Sequence, residues 1–301
     1  MKQQFVEMRF RSDTLAAIGT ANSIINQYRQ QGYQLTLRQL YYQHVARGLI
    51  ENTERSYKRL GEMISNGRLA GLIDWGAIED RTRNLRGVTH WSNPAQIINA
   101  TYRSFRMDKW DGQPNRIEVW VEKDALVGVL ERVCTRHDVD YFSCRGYVSQ
   151  SEMYEAARRL ARYLGRGQAV TVLHLGDHDP SGMDMTRDIR ERLTLFLEGM
   201  GIHVNRLALN WDQIEQYNPP PNPAKATDAR FEGYAAKFGY ESWELDALEP
   251  AVIESLIERH ILRLRDDALW QKSVNEEETH RDLLLRTSNQ WPGVVEYLEG
   301  A

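Results

Sequence analysis

The chain has 301 residues, 42% of them hydrophobic and 27% charged, with a net charge of −4 at pH 7. This length suits two domains of roughly 100 to 200 residues each. Its two cysteines lack metal or redox spacing, which excludes a disulfide framework and a zinc site, and no apolar run approaches the ~18 residues that span a bilayer.

The charge is unevenly spread along the chain. Residues 1–110 carry 16 Lys/Arg against 9 Asp/Glu, a balance of +7, whereas residues 111–301 carry 22 against 33, a balance of −11. A basic first half indicates contact with a polyanion, and an acidic second half indicates bound cations or partners. An uneven but solvated surface is the alternative. The start of the chain lacks a signal-peptide stretch, so we expect a cytoplasmic protein with no membrane contact.

The first half reads as a helical domain. Hydrophobic periodicity and caps predict helices over residues 12–30, 36–48 and 53–69, followed by a short extended piece at 71–75. Two helices joined by a tight turn, then a third helix and an extended piece, are typical of a winged-helix (CAP-like) domain. The turn-rich stretch at 110–115 predicts a linker, which places the domains at residues 1–112 and 113–301.

The second half alternates strands with helices. Strands are predicted at 117–122, 139–144, 168–175 and 203–209, with helices at 124–137, 150–164 and 181–199 between them. This alternation favours a mostly parallel α/β sheet. Residues 219–223, with four prolines, should break any regular element, and the helices predicted after them lie at 228–238, 250–264 and 277–286.

Acidic residues follow two of these strands. Glu122 closes the first, and Asp177 and Asp179 follow the third, two apart in a segment where both side chains point to the same side. Ligands of open α/β sheets bind beyond the carboxyl ends of the strands, so the three carboxylates can converge on one cation, with Mg²⁺ favoured. An isolated D-x-D can equally cap a turn or a helix. His178 between the aspartates is interpreted as a spacer or a supporting donor rather than a ligand.

A second candidate site lies on the predicted helix at 36–48. Arg38 and Tyr42 are four apart and share a face, so the guanidinium can assist the phenol and also bind a phosphate in a bidentate way. A phenol has a pKa near ~10 and needs such a neighbour to act as a nucleophile. By periodicity Tyr41 is the core residue of the pair, and Tyr42 can then be exposed.

Four motifs together resemble the A subunit of DNA topoisomerase VI and the related meiotic double-strand-break protein. They are TLRQLYY at residues 36–42, VEKDAL at 121–126, CRGY at 144–147 and GDHDPSG at 176–182, with a faint continuation at 243–248. The resemblance implies a winged-helix domain followed by a Toprim domain with C-terminal helices. The chain departs from the family where its usual Gly-Lys-Gly-x-Pro stretch reads CRGYV at 144–148.

The resemblance implies Mg²⁺-dependent cleavage and religation of double-stranded DNA through a 5′-phosphotyrosyl link, as in type IIB topoisomerases. Tyr42 would be the nucleophile, Arg38 its helper, and Glu122, Asp177 and Asp179 the metal ligands. It also implies a homodimer in which the tyrosine of one copy works with the metal site of the other. Since the sequence has no ATP-binding motif, a GHKL-type ATPase would be a separate chain. Candidate phosphate contacts are Lys123, His44, Arg81, Arg83 and Arg86.

Two alternatives stay open at this point. In the first, the chain is a Toprim endonuclease that uses metal-activated water in place of Tyr42. In the second, it is a non-catalytic DNA-binding protein that keeps the acidic residues for structure.

Overall fold

The computed structural model describes residues 1–78, 88 and 90–300. Over these residues the chain is a mixed α/β protein, with a four-stranded parallel sheet and helices before, between and after its strands. The predicted α/β class with a parallel sheet is therefore confirmed. No helix in this part of the chain is long and apolar enough to cross a membrane.

Three helices open the chain: α1 (Ser12–Gln30), α2 (Leu37–Ala46) and α3 (Glu54–Leu69). Helix α2 begins where predicted because Thr36 forms a capping box. Its hydroxyl accepts the Gln39 N–H at 3.2 Å, and the Gln39 side-chain oxygen accepts the Thr36 N–H at 2.9 Å. The apolar faces of the three helices meet in one core that includes Ile25, Leu40 and Ile64.

The extended piece predicted at 71–75 does not form a strand. Gly71 turns the chain with a φ of +73°, at a point where a Cβ would meet the Gln4 backbone nitrogen at 2.9 Å. Near this segment the described residues form isolated β-bridges, one from Gln4 to Ala70 and one from Leu35 to Ile78. A single 3₁₀ turn follows at Trp75–Ala77, and the next described helix is α4 (Pro94–Ser104).

The sheet consists of β1 (Asn115–Val121), β2 (Asp140–Ser143), β3 (Ala169–Leu175) and β4 (His203–Ala208), in the order β2-β1-β3-β4. All three pairings are parallel, and β1 lies beside β3 with Val121 opposite Leu175. The connecting helices are α5 (Val127–Arg136), α6 (Gln150–Gly165) and α7 (Pro180–Phe196). The four predicted strands and three predicted helices are thus confirmed to within a few residues, and the carboxyl ends of β1 and β3 are neighbours.

Both faces of the sheet are covered, and apolar residues of its strands pack on both sides. Val119 and Val121 of β1 pack with α5 and with α10 (Pro250–Leu264) on one face. Trp120 between them packs with α6 and α7 on the other face. This alternation follows from the two-residue period of a strand.

The segment after β4 differs in part from the prediction. Helices α8 (Trp211–Tyr217) and α9 (Phe231–Phe238) flank a short antiparallel pair, β5 (Asn222–Pro223) with β6 (Glu241–Ser242). The proline-rich segment therefore contributes to a regular element after all, because its last two residues pair with β6. A 3₁₀ turn at Leu245–Ala247 then packs against α2.

The chain ends with α10, α11 (Asp267–Asn289) and α12 (Trp291–Glu299), and α11 is longer than the predicted 277–286. Helix α4 packs along α11, where the Arg281 guanidinium lies 5.1 Å from the Tyr102 ring centroid and donates to the Tyr102 carbonyl at 3.2 Å. The two halves of the sequence are thus in contact through this helix pair.

Candidate active site

Glu122 and Asp177 lie side by side at the carboxyl ends of β1 and β3. The Glu122 N–H continues the ladder by donating to the Leu175 carbonyl at 2.9 Å. The Asp177 N–H donates to Glu122 Oε2 at 2.9 Å. At Gly176 between them, a Cβ would lie 3.0 Å from the same Oε2, so this close approach favours glycine. The structure therefore brings together two of the three predicted metal ligands.

The Asp177 carboxylate is buried and both of its oxygens are engaged. Oδ1 accepts the Leu245 N–H at 2.9 Å, and Oδ2 lies 2.8 Å from Lys123 Nζ. Burial raises the pKa of Asp177 to about 7; the Glu122 charge also raises it, and the Lys123 ammonium opposes the rise. Burial likewise raises the pKa of Glu122. Burial thus disfavours the ionised form of both acids, and a neighbouring cation such as Lys123 favours it.

Asp179 caps helix α7. Its Oδ1 accepts the Gly182 N–H at 2.6 Å and the Ser181 hydroxyl at 3.0 Å. Gly182 is needed there because a Cβ would come within 2.3 Å of the Asp177 carbonyl oxygen. The Asp179 charge raises the pKa of Glu122, so it acts on the same pocket while it caps the helix.

His178 turns into an aromatic box. Its ring centroid lies 4.6 Å from that of Phe238 and 5.5 Å from that of Tyr234, and Trp211 and Trp243 complete the enclosure. Nδ1 is 2.8 Å from the Tyr234 hydroxyl. Burial lowers the pKa of His178 to about 4, so the ring is neutral at pH 7. Its contacts are those of a residue that anchors the loop between the two aspartates.

Arg206 on β4 is a site residue that the sequence reasoning missed. Its guanidinium donates to the Asp177 carbonyl at 2.6 Å and to the Gly176 carbonyl at 3.0 Å, so it holds the loop that carries the aspartates. Burial lowers its pKa to about 10, while Glu122, Asp177 and Asp179 oppose that shift. The one available signal was an arginine beside the apolar residues that end the strand, Leu207 and Ala208.

A network of ion pairs extends from Asp177 towards the N-terminal helices. Lys123 Nζ lies 2.8 Å from Asp177 Oδ2, 2.6 Å from Glu244 Oε2 and 3.1 Å from Asp246 Oδ1. Arg38 Nη2 lies 2.5 Å from the same Glu244 oxygen, and Arg38 Nε lies 3.3 Å from Asp246 Oδ2. Lys123 is therefore surrounded by carboxylates, and Arg38 is connected to the acidic pocket through two residues that the sequence reasoning did not single out.

Tyr42 lies at the far end of this network. Its ring centroid is 5.8 Å from the Arg38 guanidinium carbon, as their spacing on α2 predicts. Tyr42 is 3% exposed and Tyr41 is 5% exposed, so the two do not differ in burial as periodicity suggested. Their ring centroids are 5.2 Å apart, and the Tyr41 hydroxyl donates to Asn52 Oδ1 at 2.9 Å.

The electrostatic setting of Tyr42 opposes ionisation. Burial raises the pKa of its phenol, the charges of Asp246 and Glu244 raise it further, and Arg38 and Lys123 act in the other direction. Both tyrosines line a cavity of about 220 Å³ that Arg38 and Glu244 also line. The Tyr42 side chain thus lines a cavity, and its surroundings favour the protonated phenol over the phenolate.

The remaining candidate contacts are placed only in part. His44 is 4% exposed, and its Nδ1 lies 2.8 Å from the Leu40 carbonyl oxygen one turn earlier, so its side chain is turned into the helical domain. Arg81, Arg83 and Arg86 lie outside the residues that the structure describes.

The donor set suits a hard divalent cation, because its members are carboxylates, the oxygen ligands that Mg²⁺ prefers. The connected cluster holds five carboxylates and three cations, which leaves two negative charges when all are ionised: Glu122, Asp177, Asp179, Glu244 and Asp246 against Arg38, Lys123 and Arg206. As the side chains are placed, no three His, Cys, Asp or Glu residues within 1–78, 88 and 90–300 are arranged to hold a metal ion. Asp177 is paired with Lys123, and Asp179 accepts hydrogen bonds from the start of α7. A metal ion bound by these carboxylates would have to replace those contacts.

No family model matches the chain, and no curated protein matches it.

Proposed function

We propose that this protein is a Mg²⁺-dependent DNA transesterase, similar to the A subunit of type IIB topoisomerases, that cuts double-stranded DNA through Tyr42. The observation that carries this proposal is the network from Arg38 through Glu244 and Lys123 to Asp177, with steps of 2.5, 2.6 and 2.8 Å. It connects the surroundings of a phenol to an acidic pocket on a parallel sheet within one chain. We further propose that the helical part is a winged-helix domain and the sheet part a Toprim domain.

The residues have distinct roles in the proposed reaction. Arg38 binds the scissile phosphate and orients it towards Tyr42, since a guanidinium can hold two phosphate oxygens at once. The Tyr42 oxygen gives up its proton and forms a bond to phosphorus, the bond from phosphorus to the 3′ oxygen breaks, and the 3′ oxygen takes up a proton and leaves as a hydroxyl. Reversal of this exchange reseals the strand without a cofactor.

The metal site is proposed at Glu122, Asp177 and Asp179. Bound there, Mg²⁺ would offset charge on the phosphate. Lys123 would then leave Asp177 and pair with the phosphate, or keep only its contacts with Glu244 and Asp246. Because Tyr42 is 3% exposed, the groups packed around it, among them Arg38 and the turn at Leu245–Ala247, must move before the phenol can meet DNA.

The assembly is proposed to be a homodimer that cuts both strands. In each copy the network links Arg38 and Tyr42 to the acidic pocket of the same chain, so each centre is proposed to form within one copy rather than between copies as the resemblance implies. Strand passage would require a separate GHKL-type ATPase chain. Association with the nucleoid in the cytoplasm would follow from the DNA substrate.

A second candidate function is a Toprim endonuclease in which water attacks the phosphate. The burial of Tyr42 favours it, because a phenol that is 3% exposed and has a raised pKa is a weak nucleophile where it stands. In that case the acidic pocket acts alone and the products carry no protein.

One experiment separates these candidates. Supercoiled plasmid is incubated with the protein and Mg²⁺, denatured, and analysed with and without protease. Protein-linked breaks that disappear in Tyr42→Phe support the transesterase, with Tyr154→Phe, an exposed tyrosine, as the matched control. Protein-free breaks that persist in Tyr42→Phe but disappear in Asp177→Ala support the endonuclease. Binding without breakage refutes both and indicates a DNA-binding protein.

A further inference from the structure

Asp246 has an unusual environment for a carboxylate. Its side chain is 0% exposed, and its Oδ2 has no hydrogen-bond partner among the described residues. Arg38 Nε approaches Oδ2 at 3.3 Å without the geometry of a hydrogen bond, while Oδ1 lies 3.1 Å from Lys123 Nζ. Buried acceptors are rarely left without a hydrogen bond, so a free carboxylate oxygen at this depth requires a reason.

The place of Asp246 in the fold supplies one. It lies on the 3₁₀ turn Leu245–Ala247, which packs directly on α2, and Ala247 belongs to the same core as Tyr42. Arg38 is near both the acid and the phenol: its Nε is 3.3 Å from Asp246 Oδ2, and its guanidinium carbon is 5.8 Å from the Tyr42 ring centroid. After burial, the Asp246 charge is a further cause that raises the pKa of Tyr42, so the acid and the phenol interact directly. When Arg38 moves to a phosphate, the carboxylate loses this cation.

We propose that Asp246 is the proton acceptor for Tyr42, a catalytic role that rests on the tyrosine route of the proposed function. The Tyr42 O–H bond breaks and its proton goes to Asp246 Oδ2. The phenolic oxygen forms the bond to phosphorus with its electron pair, the bond from phosphorus to the 3′ oxygen breaks, and the 3′ oxygen takes a proton from water. During religation the 3′ hydroxyl gives its proton back to the solvent as its oxygen bonds to phosphorus, the bond from phosphorus to the Tyr42 oxygen breaks, and Asp246 returns its proton to Tyr42.

Other acids near Tyr42 are less suited to this role. Glu244 Oε2 is shared by Arg38 and Lys123, and the cations hold the Glu244 pKa at about 2, which makes it a weak base. Both Asp177 oxygens are engaged by Lys123 and the Leu245 N–H. Asp246 keeps an oxygen without a hydrogen bond, and burial raises its pKa, which makes it a stronger base.

The test measures single-turnover formation of the covalent complex on a DNA duplex with Mg²⁺. Asp246→Asn should slow it at least ~100-fold, the usual contribution of a general base. Trifluorotyrosine incorporated at position 42 in Asp246→Asn should recover most of that loss, because a more acidic phenol needs no base. If Asp246 only supported the structure, trifluorotyrosine would not recover the rate. Asp212→Asn, an exposed acid, is the matched control.

The outcomes separate this inference from the proposed function. If the unaltered protein forms no covalent complex, the tyrosine route itself fails. If it does and Asp246→Asn is within ~10-fold of it, or trifluorotyrosine gives no recovery, the role of Asp246 is refuted while the transesterase stands.

A further measurement applies if Asp246→Asn does not fold. Fluorinated tyrosines at position 42 are then compared in the chain with Asp246 intact. If Asp246 takes the proton, the acidic limb of the rate against pH stays fixed; a limb that follows the phenol pKa overturns the inference. The charged groups that face Asp246 are the same in every such protein: Arg38, Lys123, Glu244 and Asp177.

Discussion

Lys123→Met tests whether the ion-pair network is a structural unit. The variant keeps the apolar stem but removes an ammonium that has three carboxylate oxygens within 3.1 Å. The Lys123 side chain is 19% exposed, and its partners Asp177 and Asp246 are 9% and 0% exposed. Removing one partner of a buried pair costs about 3–5 kcal/mol, because it leaves buried charge uncompensated. We expect a loss of about 3 kcal/mol, the lower end, since Arg38 still pairs with Glu244 and Asp246.

The assay is urea denaturation followed by circular dichroism at pH 8 without Mg²⁺. At that pH Asp177 is above its folded pKa of about 7 and is mostly charged. Lys58→Met is the matched control, because its partner Glu54 is an exposed neighbour one turn away, and it should leave the free energy of unfolding unchanged. A Lys123→Met protein within ~1 kcal/mol of the unaltered chain would refute the reasoning.

Two further predictions concern the loop that carries the aspartates. Because the pKa of Asp177 rises from 3.8 to about 7 on folding, the stability it contributes is present below pH 4 and is lost as the pH rises through 7. The free energy of unfolding should therefore fall over that range by a few kcal/mol more than in Asp177→Asn, and equal slopes in denaturation series would contradict the assignment. His178→Ala removes a ring whose centroid lies 4.6 Å from that of Phe238 and should lower the free energy of unfolding by about 3 kcal/mol. The control His203→Ala changes an exposed residue and should have little effect. Thermal melts in which His203→Ala is the less stable variant would contradict the anchoring role of His178.

The sequence predicts much of this fold because local patterns determine its elements. The alternation of short strand-like segments with helices favours a covered parallel sheet for β1 and β3, and Thr36 with Gln39 specifies the start of α2. The juxtaposition of Glu122 and Asp177 follows from the general rule for carboxyl ends of parallel strands. These features need no knowledge of which distant segments meet.

The parts that could not be predicted depend on long-range contacts. The hydrogen bond from Leu245 to Asp177 joins residues 68 positions apart, and the one from Arg38 to Glu244 joins residues 206 positions apart. No local sequence pattern indicates either pairing. Tyr42 is buried because the turn at Leu245–Ala247 covers α2, which the period of a single helix does not reveal. The pairing of β5 with β6 is likewise set by a distant partner.

The central claim is that Tyr42 and the acidic pocket form one Mg²⁺-dependent centre that breaks DNA. Mass spectrometry of peptides from the protein, after incubation with DNA and nuclease digestion, tests it most directly. We expect a nucleotide attached to the peptide that contains Tyr42, formed with Mg²⁺ and absent in Asp177→Ala. Broken DNA with no modified peptide, or a nucleotide on another residue, would contradict it.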